Sequence, residues 1–145
     1  MQLTLHTDYA LRVLIYLKTH EDEIVPVDRI ARAYGISQHH LAKVAQQLVR
    51  HGWVDSTRGR SGGLALAEGA EAVTIGDVVR RMESSRSVVE CLGEDSTCPI
   101  EPACGLKKAM RCATEAFFET LDQYRLSDIA RKPKQIRALL TITRT

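Results

Sequence analysis

Gly35 is the tightest constraint on how this chain can fold. It stands between two short stretches whose apolar residues recur at helical spacing: Val27, Ile30, Ala31 and Tyr34 before it, and Leu41, Val44, Ala45 and Leu48 after it. A glycine there accepts the positive φ at which a helix stops, so the two helices turn sharply against each other. Ser37 is placed to cap the second helix, which leaves Gln38, His39, Lys43, Gln46, Gln47 and Arg50 turned outward. Two short helices joined by a glycine turn spell helix-turn-helix. An earlier helix runs through Tyr9, Ala10, Val13, Leu14 and Leu17 to near His20, with Thr7 as its expected cap and Asp8 at its positive end.

The residues that follow extend this unit. After Gly52, Trp53-Val54-Asp55-Ser56-Thr57 reads as a strand, Arg58-Gly59-Arg60-Ser61-Gly62-Gly63 as a flexible tip and Leu64-Ala65-Leu66 as the returning strand. A hairpin in that place is a wing. Thr74 caps a helix through Val78, Val79 and Met82, so residues 1–83 form a winged helix-turn-helix domain. Residues 84–105, with Pro99 and Pro102 and little periodicity, form an irregular loop. From Leu106, the residues Ala109, Met110, Ala113, Ala116, Phe117, Thr120, Leu121 and Tyr124 repeat at helical spacing over about five turns. One small domain cannot bury all of that, and pairing with a twin in a two-fold homodimer is the expected use. Ser127 caps a further short helix, and Pro133 restarts the tail. The fold class is therefore mainly α: a winged helix-turn-helix, then a long dimerisation helix and C-terminal tail over 106–145.

Length and composition agree. A chain of 145 residues is the size of one domain, or of a small DNA-binding domain with an appended oligomerisation segment, and too short for a large barrel or doubly wound enzyme. With 44% hydrophobic and 26% charged residues, it can build a packed core. No apolar run approaches the roughly 18–20 residues that span a bilayer, and the N-terminus is no signal peptide, so the expected location is the cytoplasm. The formal charge of +2 conceals a separation. Residues 29–60 carry Arg29, Arg32, Lys43, Arg50, Arg58 and Arg60 against Asp55, whereas residues 87–106 hold Glu90, Glu94, Asp95 and Glu101 with no Lys or Arg.

The basic half points to double-stranded DNA. Three helices alone would make an ordinary packing unit with a solvated face, but the wing sets Arg58 and Arg60 among Gly59, Gly62 and Gly63. There the missing side chains let backbone approach a phosphate and let arginine enter the minor groove. Ser37, Gln38, His39, His40 and Lys43 lie at the start of the recognition helix, the end that faces base edges in the major groove. No Ser-His-Asp or Cys-His pair, paired carboxylates or phosphate-binding glycine loop stands where catalysis would need it, so an enzyme is not expected.

The acidic half holds the sulfur. Cys91, Cys98, Cys104 and Cys112 are separated by six, five and seven residues, and none forms the CxxC of a zinc knuckle. Spacing leaves an iron–sulfur site, a zinc site, disulfides and inert thiols all open. Cys112, among Ala109, Ala113 and Ala116, reads as a small buried hydrophobe.

Several motifs taken together resemble a known family. Met1-Gln2-Leu3-Thr4 with Thr7-Asp8-Tyr9-Ala10-Leu11-Arg12, the wing from Arg58 to Gly63, Ile75-Gly76-Asp77-Val78-Val79 and the loop ending Pro102-Ala103-Cys104 are similar to the NsrR family of nitric-oxide-sensing repressors. These belong with the IscR-type regulators among winged-helix proteins that carry iron–sulfur clusters. The resemblance covers nearly the whole chain. It implies a homodimer on a palindromic operator, a cluster held by Cys91, Cys98 and Cys104, and release of DNA when nitric oxide attacks that cluster. IscR-like chains place a histidine ligand three residues past the last loop cysteine; here that position is Lys107. NsrR-like chains use an aspartate at the position of Asp8, donated from the other subunit, with Cys112 as the rival fourth ligand. Otherwise, Asp8 is a first-turn acid meeting the helix dipole. A [4Fe–4S] cluster is the preferred cofactor and [2Fe–2S] the reserve. The alternatives are an IscR-like or iron-responsive regulator on the same scaffold, and a metal-free thiol switch.

Overall fold

A computed structural model describes residues 2–85 and 87–142; Met1 of the N-terminal motif, Arg86 of the cysteine-bearing segment and residues 143–145 of the tail lie outside them. The chain begins with α1 (Leu5–Thr19). Its cap is Thr4, whose Oγ1 accepts the Thr7 backbone N–H at 3.3 Å, so the cap falls three residues before the expected Thr7. Thr7 itself is buried inside the first turn. Thr4 is anchored in turn by Glu83, whose carboxylate accepts the Thr4 backbone N–H at 2.8 Å and its hydroxyl at 3.1 Å.

Helix α2 (Val27–Tyr34) ends at Gly35 with φ of 65°, and α3 (Gln38–Arg50) follows, as expected. Ser37 occupies the capping position of α3, but its hydroxyl makes no capping bond. Strands β1 (Val54–Thr57) and β2 (Gly63–Leu66) pair antiparallel from Val54↔Leu66 to Thr57↔Gly63, forming the wing. Leu64 also exchanges two backbone hydrogen bonds of 2.8 Å with Val25, which ties the wing to the segment before α2. Gly63 permits this approach: a Cβ there would lie 2.5 Å from the Val25 carbonyl oxygen. Helix α4 (Ile75–Met82) is capped by Thr74, which accepts the Asp77 N–H at 3.1 Å.

The core joins Leu14 and Leu17 of α1, Ile30 of α2, Leu41, Val44 and Leu48 of α3, Val54 of β1 and Val78 of α4, all fully buried. Burying each large side chain contributes about 1.5–3 kcal/mol. The described residues of the segment 84–105 hold two short 3-10 turns, Glu90–Leu92 and Glu101–Ala103. Helix α5 (Leu106–Asp122) then runs for 17 residues without burying one of them. It is locked to α4 by Arg80, which donates to both Asp122 oxygens at 2.7 and 2.5 Å and lies 4.8 Å over the Phe118 ring.

The chain then returns. Helix α6 (Leu126–Ile129) drives the fully buried Leu126 into the core of the winged domain. Its capping residue is Arg125, not Ser127: Asp128 accepts the Arg125 backbone N–H at 2.9 Å and holds the first turn. The tail is itself helical, α7 (Pro133–Ile142). Arg137 of α7 donates to the Thr19 carbonyl and to Asp22 at 2.7 Å, bringing α7 against α1.

Candidate DNA interface and cysteine loop

Helix α3 presents Gln38, His39, His40, Lys43, Gln46 and Arg50 to solvent, preceded by the exposed Ser37. The packing that buries Leu41, Val44, Ala45 and Leu48 dictates this, because residues on the opposite side of a helix must then face out. Gln47 departs from the sequence expectation. It is half-buried, and its Oε1 lies 2.8 Å from His6 Nε2 of α1.

Arg58 and Arg60 are exposed at the wing tip, where Gly59 takes φ of 110° and a Cβ on Gly62 would meet the Thr57 carbonyl oxygen at 2.2 Å. The basic window divides in two. Arg29 is paired with Glu23 at 2.7 Å and Arg32 with Asp28 at 2.6 Å, and the Arg29 bond holds the Glu23 carboxyl below its ordinary value. Lys43, Arg50, Arg58 and Arg60 make no ion pair among the described residues. Unpaired cations on a helix face and a neighbouring hairpin tip suit a polyanion with two adjacent grooves.

The four cysteines are free thiols. Cys91 sits in the Glu90–Leu92 turn, Cys98 in the irregular stretch between the two turns, and Cys104 closes the Glu101–Ala103 turn; all three are half-buried. Cys112 is exposed on α5, contrary to the buried role read from its alanine neighbours, because no described residue covers that face of α5. Polar contacts shape the loop. Glu90 accepts both the backbone N–H and the hydroxyl of Thr97 at 2.8 Å, and these bonds hold its carboxyl below the ordinary value. Glu101 donates its N–H to the Cys98 carbonyl at 3.2 Å, and Cys104 donates its own to the Glu101 carbonyl at 3.3 Å. Lys107, at the position where IscR-like chains carry histidine, pairs with the Glu101 side chain and straps the loop to the first turn of α5.

Asp8 lies half-buried in the first turn of α1, paired with Arg12 at 2.9 Å. Arg12 also lies 5.7 Å over the Tyr34 ring at the end of α2. Among the described residues, no three His, Cys, Asp or Glu side chains converge on one metal-binding point. In donor chemistry the loop nonetheless fits an iron–sulfur group: three reduced thiols, the ligands such iron prefers, lie on one irregular segment tied by its own hydrogen bonds. The His6–Gln47 bond was overlooked in the sequence reading. Its signal was present, since His6 shares the spacing of Ala10, Val13 and Leu17 and so belongs to the inward stripe of α1.

Comparison with known proteins places this arrangement. Residues 3–132 match the Rrf2 family, described as an iron-dependent transcriptional regulator. The HTH-type transcriptional regulator NsrR of Bacillus licheniformis is 44% identical over 143 residues, covering 97% of this chain and all of that protein. That of Geobacillus kaustophilus is 42% identical over 142 residues, covering 97% of each. Among solved structures, CymR, the global cysteine regulator of B. subtilis, aligns with a TM-score of 0.70 at 28% identity, over 90% of this chain and 97% of that one. The IscR of T. potens has the same fold, with a TM-score of 0.71 at 23% identity over 90% and 87% of the two chains. The chain belongs to the Rrf2 family of winged-helix transcriptional regulators, and NsrR regulators are among its relatives there.

Proposed function

We propose that this regulator is a dimeric repressor that reads operator DNA and releases it in response to nitric oxide, using an iron–sulfur group on the cysteine loop. One observation carries the reading: three free thiols are gathered on the segment that joins the DNA-reading domain to α5. The relatives named NsrR and the family's iron-dependent description support it.

On the DNA side, Ser37, Gln38, His39, His40 and Lys43 enter the major groove while Arg58 and Arg60 reach the flanking minor groove. The unburied α5 pairs with its twin, placing two recognition helices on half-sites about 10 bp apart or a multiple of that. On the sensor side, Cys91, Cys98 and Cys104 would hold the group, and Asp8 from across the dimer would complete it. When bound, the group supplies iron that takes up nitric oxide. Asp8 is then a shared carboxylate. In this structure Asp8 pairs with Arg12 of its own helix, 2.9 Å away, so that holding the group would draw its carboxylate from that partner. The bistable element is the dimer geometry.

The test is anaerobic. Iron and sulfide are counted on fresh protein, nitric oxide is titrated in, and operator affinity is measured on the same sample. A bound cluster and a drop in affinity that tracks its loss are expected; unchanged affinity after complete loss would reject the coupling. Protein that stays free of iron and sulfide even after cluster reconstitution would remove the sensor and leave a thiol-based or DNA-only regulator.

A further inference from the structure

Helices α1 and α3 are held together mainly by apolar packing, with Ala10, Val13, Leu14 and Leu17 against Leu41, Val44, Ala45 and Leu48 in one core. Such attraction is non-directional: it keeps two helices together without fixing the rotation of one on the other. A directional contact crosses this interface at His6 and Gln47, whose Nε2 and Oε1 are 2.8 Å apart with both residues half-buried. Among the described residues it is the one side-chain hydrogen bond between α1 and α3. An imidazole N–H donating to the carboxamide oxygen satisfies both atoms where water has restricted access. Gln47 lies one turn beyond Lys43 and one turn before Arg50, at the edge of the face offered to DNA. While it is held, α3 cannot rotate about its axis without breaking the bond.

We propose that His6 is a positioning residue for DNA recognition: through Gln47 it sets the rotation of the recognition helix and couples it to the first turn of α1. The turn is stiff enough for that role. Thr4 caps it, the Asp8 N–H donates to the Thr4 carbonyl at 3.0 Å, and Glu83 anchors Thr4. Asp8 lies two residues past His6, hence on the far side of the same turn, so a pull on one face moves the other. This second part, the coupling, rests on the nitric oxide reading above; the positioning of α3 does not.

The experiment uses the full chain and a duplex selected by the wild-type protein from random DNA, with a scrambled duplex of equal length as control. Binding of wild type, His6→Ala, Gln47→Ala and the double variant is followed by fluorescence anisotropy. Each single variant should lose about 2- to 10-fold on the selected duplex, as expected for one hydrogen bond. Scrambled DNA should be bound as by wild type, and the double variant should lose no more than the worse single. A double loss equal to the product of the singles, or an equal loss on scrambled DNA, would overturn the proposal. If His6→Ala fails to melt cooperatively, His6→Phe keeps a ring and removes the donor. The series is repeated anaerobically on cluster-loaded protein before and after nitric oxide. A wild-type response much reduced in His6→Ala supports the coupling, and an undiminished one overturns it. A wild type indifferent to nitric oxide would defeat the sensor reading instead, with the DNA cycle still deciding the role of His6.

Discussion

At the scale of single residues, charge that is already paired must be separated from charge that is available. Arg29 and Arg32 add to the basic window but are committed to Glu23 and Asp28, whereas Arg58 is exposed at the wing tip with no ion pair among the described residues. Arg58→Ala should therefore weaken binding by about tenfold on operators with a narrow A·T-rich minor groove and less on others, as read by anisotropy on a panel of flanking sequences. Equal losses across the panel would reject groove reading. Gly76 makes a second case. A Cβ there would fall 2.0 Å from Asp122 Oδ1, an atom that Arg80 already holds, so the carboxylate cannot swing aside freely. Gly76→Ala should cost about 1–3 kcal/mol despite alanine's higher helix propensity, seen as a lower thermal midpoint.

At the scale of elements, the Arg80–Asp122 pair decides how α5 is carried by α4. The guanidinium holds the Asp122 carboxyl below its ordinary value of 3.8, so the pair stabilises the fold fully above that pH and loses its effect as the pH falls through the lowered value. Asp122→Asn should be less stable than wild type near neutrality by about 0.5–1 kcal/mol, modest because both groups are partly solvated, and the difference should vanish in strong acid. Denaturant melts at several pH values check this. These elements differ in how legible they were. The α2–Gly35–α3 turn, the hairpin around the wing glycines and α4 with its Thr74 cap could all be read from periodicity and local chemistry. The cap of α1 was misplaced because two threonines three residues apart offer the same hydroxyl, and only the anchoring of Thr4 by Glu83, far along the chain, distinguishes them. Helix α7 was missed because nothing local announces the distant contacts of Arg137. The spacing of the cysteines put Cys91, Cys98 and Cys104 on one irregular segment, but it could not say which side chains meet, because that depends on how the loop closes.

At the scale of the whole molecule, the winged domain and the helices that follow it are less separate than the order of the chain suggests. Tyr124 accepts the Ile75 N–H at 2.8 Å, Leu126 donates to Val73 at 2.9 Å, and the Leu126 side chain is fully buried among residues of the winged domain. A fragment covering residues 1–83 should therefore expose an apolar hole and melt at a lower temperature and less cooperatively than the full chain, by calorimetry; an equally sharp, equally stable fragment would refute this. Leu126 acts as a keystone set by the far end of the polypeptide. The core of the winged domain is completed only once α5 and α6 have been synthesised, so a chain cut short before Leu126 should lack a finished helix-turn-helix scaffold.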